Sequence, residues 1–374
     1  NLSYASSLDH QATYYSRLGS YYKSLEFDRM SLRIKEKFIN QNKKEYLKTV
    51  NNMAKGYEKL NDFDSSIIYR KLSIKLVKDI HGMESEQYAR TLSSLSGQYA
   101  ELNRYDLALE LAIESNNIAE KIFSKNHNYY QITLSNIAQL YYQLGNITKA
   151  IETSLIALDL IEQSYGKEHT QYLFSLQNHA LYLLRNGEFE SSLELFHSAQ
   201  ELIEEHIGGE TAFYATFLNN FANAKVFGGL YEEGLELNYA SLNLREKLYG
   251  KNHQIYLVSL SNVGLNLSYL EKNNEALDIL KEALVLTERI YGKYHEKVAS
   301  LNSNLSLIEC RLGRMENAIE YSITSVEIEK EVYKRIKNGL SNISQVTSKA
   351  RFENRLILAY NHFIKNPLVN SSYL

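Results

Sequence analysis

The sequence predicts an all-α repeat protein, and three observations carry that reading. The chain of 374 residues holds one proline and 17 glycines, too few of the residues that punctuate loop-rich folds. Its residues are 44% hydrophobic, with 30 Tyr and 13 Phe but no Trp, which is ample for a core and excludes a disordered chain. The sequence also repeats every 42 residues, and a period in that range marks stacked helical units. Length alone suggests two or three domains of about 100 to 200 residues. The repeat replaces that expectation with one array of eight units over residues 1–338 and a separate segment, 339–374.

The register is set by Gly19, Asn61, Asn103, Gly145, Gly187, Gly229, Glu271 and Gly313, each 42 residues after the last. Five residues on stand Ser24, Ser66, Ala108, Ala150, Ser192, Gly234, Ala276 and Ala318. Twelve on are Ser31, Ser73, Ser115, Ala157, Ala199, Ser241, Ala283 and Ser325; seven back are Ala12, Ala54, Ser96, Ala138, Ala180, Ala222, Gly264 and Ser306. Helix backbones that cross closely need small side chains, so these columns mark packing and not chemistry. Bulky residues two after the reference column, Tyr21, Phe63, Tyr105, Ile147, Phe189, Tyr231 and Met315, are expected as knobs opposite the small holes. Tyr46, Tyr88, Tyr130, Tyr172, Tyr214 and Tyr256 form a further column. A tyrosine stripe can stack nucleic-acid bases, but fixed register beside apolar neighbours favours the core.

Each unit divides into two helices. Leu260, Val263, Leu267 and Leu270 recur at spacings of three and four, which defines the buried face of helix A. After 271–274 the period resumes with Ala276, Leu277, Leu280, Ala283, Leu284 and Thr287 as helix B, running to Tyr291, and Gly292 supplies the stop. The unit is a helical hairpin. His127, His169, His253 and His295 share a column just before the next helix. Zinc holds nitrogens at about 2.0 to 2.1 Å, while equivalent residues of stacked helices sit roughly 8 to 10 Å apart. These histidines are therefore expected to satisfy backbone groups at helix starts, with no metal.

Leu134, Ile137, Ala138, Tyr141, Gly145, Ile147, Ala150 and Ala157 follow the bulky, Leu-like, small, Tyr, Gly, aromatic-like, small, small order of the tetratricopeptide repeat. The 42-residue period and segments such as Leu248-Tyr249-Gly250-Lys251-Asn252-His253 resemble the kinesin light chain form of that repeat. There His is commonly followed by Pro, where this chain has Gln254 and Glu296. The resemblance covers about residues 3–338. It implies a right-handed superhelical solenoid of about eight hairpins, with the A helices lining a concave groove that captures a peptide or helical segment of a partner protein.

Other classes are disfavoured. One cysteine, Cys310, leaves no intrachain disulfide and no cysteine zinc cluster, and it is expected as a buried structural thiol. No stretch reads as a membrane span or a signal peptide, and the net charge of −3 gives no case for nucleic acid. A cytoplasmic protein without cofactor is expected. Phosphate-binding loops and a Gly-x-Ser-x-Gly turn are missing, so no catalytic residue is assigned and the chain is not expected to be an enzyme.

Binding residues are expected on helix A. Nine residues before the reference column lie Asn52, Asn136, Asn178, Asn220, Asn262 and Asn304, with His10 and Ser94 as exceptions. Asn is a poor helix former, and its carboxamide can both donate to and accept from an extended peptide backbone. In the resembled family, Asn here commonly contacts bound peptide; the alternative is that it bonds within its own or a neighbouring repeat. Lys48, Lys55 and Arg90 flank this column early in the chain, whereas Phe174, Leu181, Val258 and Leu265 flank it later. The groove is thus expected to be basic at its N-terminal end and apolar in the middle, suiting a partner with acidic residues and aliphatic anchors. Residues 1–90 carry 16 basic and 11 acidic side chains, in weak agreement. Acidic side chains including Glu194, Glu201, Glu204, Glu205, Glu232 and Glu233 are expected to form the solvated outer face.

Beyond the eighth unit, the stretch from Leu340 to Ile364 reads as a capping helix. Leu340-Ser341-Asn342-Ile343-Ser344 and Arg351-Phe352-Glu353-Asn354 also resemble the junction preceding the caspase-like CHAT domain of some bacterial repeat proteins. That resemblance implies a second reading, a sensor region of a larger protease whose catalytic His and Cys lie past Leu374. The start at Asn1 instead of Met fits a fragment or processed product.

Overall fold

The computed structural model describes residues 1–60 and 62–339, and every regular element among them is a helix. Contacts divide the chain into two units, Asn1–Glu188 and Phe189–Leu374. The first holds α1 (Leu2–Arg17), α2 (Tyr21–Glu36), α3 (Lys43–Lys59), α4 (Phe63–His81), α5 (Glu86–Glu101), α6 (Tyr105–Ile122), α7 (Asn128–Gln143), α8 (Ile147–Tyr165) and α9 (Thr170–Arg185). The second holds α10 (Phe189–His206), α11 (Ala212–Phe227), α12 (Tyr231–Tyr249), α13 (Gln254–Tyr269), α14 (Asn273–Tyr291), α15 (Glu296–Arg311) and α16 (Met315–Gly339). The unit boundary falls inside the fifth repeat, between its A and B helices. The capping-helix and protease-junction readings of residues 340–374 lie outside the described residues.

The reference column is the hinge of each hairpin. Its described members take positive φ, 77° at Gly145 for example, and the next N–H, that of Asn146, returns to the Tyr141 carbonyl at 2.9 Å. This closure satisfies carbonyls at the end of helix A and reverses the chain. Asn103 and Glu271 adopt the same conformation at φ 56° and 60°. Asn tolerates it, while Glu271 carries a strain of about 1 kcal/mol.

The small columns are cross-helix contacts, and their serines form hydrogen bonds that the column pattern had not revealed. Ser24 Oγ donates to the Ala12 carbonyl at 2.8 Å and Ser66 Oγ to that of Ala54 at 2.6 Å. In the third and eighth repeats the direction reverses, with Ser96 donating to Ala108 and Ser306 to Ala318, both at 2.7 Å. A second rung joins Ser31, Ser115, Ser241 and Ser325 to the carbonyls of Ala5, Ala89, Ala215 and Ala299. A buried hydroxyl with its bond made adds about 0.5–1.5 kcal/mol, so alternating Ser and Ala sets each crossing without adding bulk.

The bulky column departs from the expected knob role at two of its members. Its members open each B helix and are half-buried, Met315 being exposed, and two of them pack forward onto the next A helix. Tyr231 stacks on Tyr269 of the next A helix at 5.3 Å, and the Phe189 ring lies where a Cβ on Gly228 would stand. Of the tyrosine column, Tyr46, Tyr88, Tyr130, Tyr172 and Tyr256 are buried and Tyr214 is half-buried. Val50, Leu92 and Leu134 share the first unit's main core with three of these tyrosines, and Leu260, Val263, Leu280 and Leu305 form the second unit's. Each fully buried aliphatic side chain contributes about 1.5–3 kcal/mol.

Candidate functional site

In the first three repeats the A helices α1, α3 and α5 border a cavity of about 890 Å³, whose wall is completed by residues of α2 and α4. Arg17, Asn52, Lys55, Lys59 and Glu101 stand on it from the A helices. Arg17, Lys55 and Lys59 are exposed, so its rim carries three cations against two carboxylates, those of Glu101 and of the partly exposed Glu58.

Two charged side chains reach this cavity from buried positions on the B helices. Asp28 is 1% exposed and Arg70 is 7% exposed, and they occupy one column that elsewhere holds Ala112, Ser154, Phe196, Asn238 and Leu280. Asp28 Oδ1 has no hydrogen-bond partner, while the Asn52 side chain bonds the same carboxyl group. Burial, reinforced by the neighbouring Asp9, pushes the Asp28 carboxyl up to about 7, with Asn52 and Lys35 opposing. Lys35 is itself buried, paired with Asp9 and bonded to Thr49 Oγ1 at 2.9 Å, with Glu45 Oε2 at 3.4 Å.

Arg70 Nη2 meets Glu58 Oε2 at 3.4 Å, and Gln98 Nε2 donates to the same oxygen at 3.2 Å and to Ser66 Oγ at 2.6 Å. Arg70 Nε and Gln98 Oε1 are buried without partners. Burial pulls the Arg70 guanidinium below its usual value and Glu58 opposes that. Beside Gln98, Gly97 lies inside α5, and a Cβ built on it would meet nothing within 4 Å. Gly costs a helix interior about 1 kcal/mol relative to Ala, and no packing within the chain explains it here.

Of the residues expected from sequence, Asn52 and Lys55 line the cavity, while Lys48 and Arg90 do not. Lys48 is exposed; Arg90 pairs with Glu86 at 2.6 Å and covers the Tyr129 ring at 4.6 Å. Asn262 donates to Asn219 of the preceding repeat at 2.9 Å, the structural role weighed for this column. Asn136 is exposed and Asn178, Asn220 and Asn304 are half-buried. Phe174 and Val258 are exposed, as are the six glutamates assigned to the outer face.

The histidines cap helices as expected. Nδ1 of His127, His169, His253 and His295 each accepts the N–H two residues on, at 3.2 Å. Each ring also stacks on the aromatic four residues before it, at 3.9 to 4.7 Å. Among the described residues no group of three or more His, Cys, Asp or Glu is placed to hold a metal ion. Cys310 is half-buried, not buried as expected. Sequence reasoning missed Asp28, Arg70 and Gln98, although a charge in an otherwise uncharged B-helix column was a usable signal for the first two.

Paired helices in a 42-residue register, with a polar cavity bordered by successive A helices, define a helical-repeat protein. The chain belongs to the tetratricopeptide repeat family, whose model matches residues 87–155, 129–205, 213–289 and 257–331, more than half of the sequence. A search of curated proteins found no match. Among solved structures, the Rap conjugation gene regulator of plasmid pLS20 in complex with the Phr* peptide is similar, with a TM-score of 0.60 and 12% identity, over 91% of this chain and 98% of that one. A Rap protein complexed with Competence and Sporulation Factor gives 0.57 and 11%, over 95% and 98%. BtubC (BKLC) from P. vanneervenii gives 0.51 and 17%, over 62% and 93%. At these identities the likeness is one of fold. Among the described residues no helix is long and apolar enough to cross a membrane.

Proposed function

We propose that this chain is a protein-interaction module that binds a peptide or helical segment of a partner protein along its A helices, and that the cavity of the first three repeats is the principal contact. One observation carries the reading: a ligand-sized polar cavity bordered by α1, α3 and α5, with buried, unpartnered polar atoms on Asp28, Arg70 and Gln98. Buried polar groups are nearly always satisfied, and these three all line one cavity, which supports a site completed by a bound ligand. Rap proteins solved with the Phr* peptide and with Competence and Sporulation Factor share the fold, which supports a peptide as the occupant. Asn52 and Lys55 make the first contacts in this reading, with Asn136 and Asn178 continuing them within the first unit; Asn220, Asn262 and Asn304 offer the same carboxamides on the A helices of the second. The module positions partners and performs no reaction of its own, in a cytoplasmic setting where the lone half-buried Cys310 stays a thiol.

The test is a selection of displayed random dodecapeptides on the immobilised chain, followed by titration of synthetic versions of the enriched sequences. Binding is expected to fall about tenfold or more in Lys55→Glu with Lys59→Glu and to weaken with salt. Enriched peptides that bind this double variant as well as the parent chain would place the interaction elsewhere and sink the assignment.

A further inference from the structure

Resting on the peptide-binding reading of this cavity, we infer that Arg70 is a receptor for a carboxylate of the ligand, and that the chain's own Glu58 holds that position until the ligand arrives. An arginine built to bind a carboxylate firmly does so through two parallel N–H bonds. Arg70 has only one contact with Glu58, from Nη2 at 3.4 Å, and its Nε has no partner. The geometry is that of a place kept and not of a pair completed.

The two partners differ in their freedom to move. The Arg70 side chain is 8% exposed and is fixed in the wall formed by α4, whereas the Glu58 side chain is 42% exposed. Glu58 therefore leaves and Arg70 stays. On α3, Lys55 lies three residues before Glu58 and Lys59 directly after it, and Lys55 is within the i,i+3 reach of a released carboxylate. Gln98 Nε2, which donates to Glu58 Oε2 at 3.2 Å, is placed to donate to an incoming carboxylate oxygen instead. The open space over Gly97 admits the stem that carries the incoming group.

Charge favours the same occupant. Arg17, Lys55 and Lys59 on the rim attract an anionic segment and speed its approach. Once bound, the ligand carboxylate takes Nε and Nη2 side-on, a bidentate arrangement stronger than the single contact it replaces. The carboxylate comes from an Asp or Glu side chain or from a free C-terminus, and both present the same two oxygens.

Two display formats separate these sources. A dodecapeptide library fused through its C-terminus offers only side-chain carboxylates, while one fused through its N-terminus adds a free terminal carboxylate. A fixed Asp or Glu in peptides from the first library, or enrichment from the second alone with no fixed acidic residue, supports the inference and names the source. Synthetic peptides of the enriched class should then bind Glu58→Gln about tenfold more tightly, because the internal competitor is gone, and Arg70→Met at least about tenfold more weakly. Circular dichroism and thermal unfolding show whether Arg70→Met folds, and the Glu58→Gln result stands without it. Enriched peptides with no carboxylate in common, or affinity unchanged in Glu58→Gln, overturn the carboxylate receptor and leave the peptide-binding reading in place. Enrichment from neither library overturns both.

Discussion

The two units repeat one backbone period yet place different chemistry at equivalent positions. The column with Asp28 and Arg70 in the N-terminal unit carries Phe196, Asn238 and Leu280 in the C-terminal one. Seven residues on, Lys35 is matched by Ile203, Arg245 and Thr287. Phe196 is fully buried and lies parallel to Phe221 with ring centroids 5.2 Å apart, whereas Lys35 at the buried floor of the first repeat is neutralised by Asp9. Arg245 is buried as well, but its Nη1 donates to the Ile255 carbonyl at 3.1 Å and to Ser259 Oγ at 2.9 Å, with no carboxylate partner. The hairpin accepts either kind of interior because its crossings are set by the Ser and Ala columns. Buried charge occurs in both units, at Asp9, Asp28, Lys35 and Arg70 in one and at Lys225, Arg245 and Glu309 in the other, so what differs, apart from the position that Lys35 and Arg245 share, is which position of the period carries it.

The largest effect expected from this contrast comes from removing one member of a buried pair. Lys35→Met strands Asp9, which is 2% exposed, and should destabilise the N-terminal unit by about 3–5 kcal/mol. Adding Asp9→Leu should restore most of the loss, because a buried pair costs nearly as much to desolvate as it returns. The equivalent change in the other unit, Ile203→Met, swaps similar volumes at a fully buried site and should cost less than about 1.5 kcal/mol. Urea unfolding followed by circular dichroism measures all three. Equal losses in Lys35→Met and Ile203→Met would erase the distinction between the two interiors.

Acidity should act on the two units with opposite sign. Asp28 has a folded pKa of about 7 against an ordinary value of 3.8, so the folded state binds its proton more tightly than the unfolded one. Its contribution is complete below about pH 4 and is lost as the pH rises through 7, at most about 4 kcal/mol. In the C-terminal unit, burial depresses the His295 pKa, with Lys297 adding to this and Glu296 opposing, and only neutral Nδ1 can accept the Lys297 N–H. That cap adds about 1 kcal/mol, complete above about pH 6.5 and lost as the pH falls below it. Asp28→Asn should flatten the alkaline loss, and His295→Ala the smaller acidic one, in unfolding midpoints taken from pH 4 to 9. An alkaline loss that survives in Asp28→Asn would assign it to another group.

Much of this architecture is legible in the sequence. A 42-residue register with small residues in three columns is satisfied by helices crossing at fixed points, and the reference column coincides with the positive φ of each described hinge. The histidine caps were legible for the same reason, since a column just before a helix start has unsatisfied N–H groups to serve. The site was legible only in part. Asn52 and Lys55 fall on the cavity because helix A faces it, but a column pattern averages over repeats, whereas binding chemistry is what makes one repeat unlike the next. Asp28 and Arg70 lie on B helices, away from the helix A positions where binding residues were sought, and only the structure shows that the cavity reaches them. Arg90, read from its column alone, is instead held by Glu86 on its own turn and by the Tyr129 ring of the next repeat.

The smallest expected effects separate glycines that serve packing from one that does not. In the C-terminal unit, a Cβ on Gly264 would stand 2.7 Å from Leu280 Cγ and 3.3 Å from Ile279 Cγ2. Leu280 is fully buried and cannot withdraw, so Gly264→Ala should destabilise by about 1–3 kcal/mol. In the N-terminal unit, Gly97 has equal helical surroundings and nothing within 4 Å of the added carbon. Gly97→Ala should therefore stabilise α5 by about 0.8–1 kcal/mol, the full difference in helix propensity. Differential unfolding of the two variants decides the matter. A gain in Gly97→Ala together with weaker binding of the selected peptides means that the open space belongs to the ligand, whereas a loss of stability means that α5 packs there against something and that the cavity is narrower than its walls suggest.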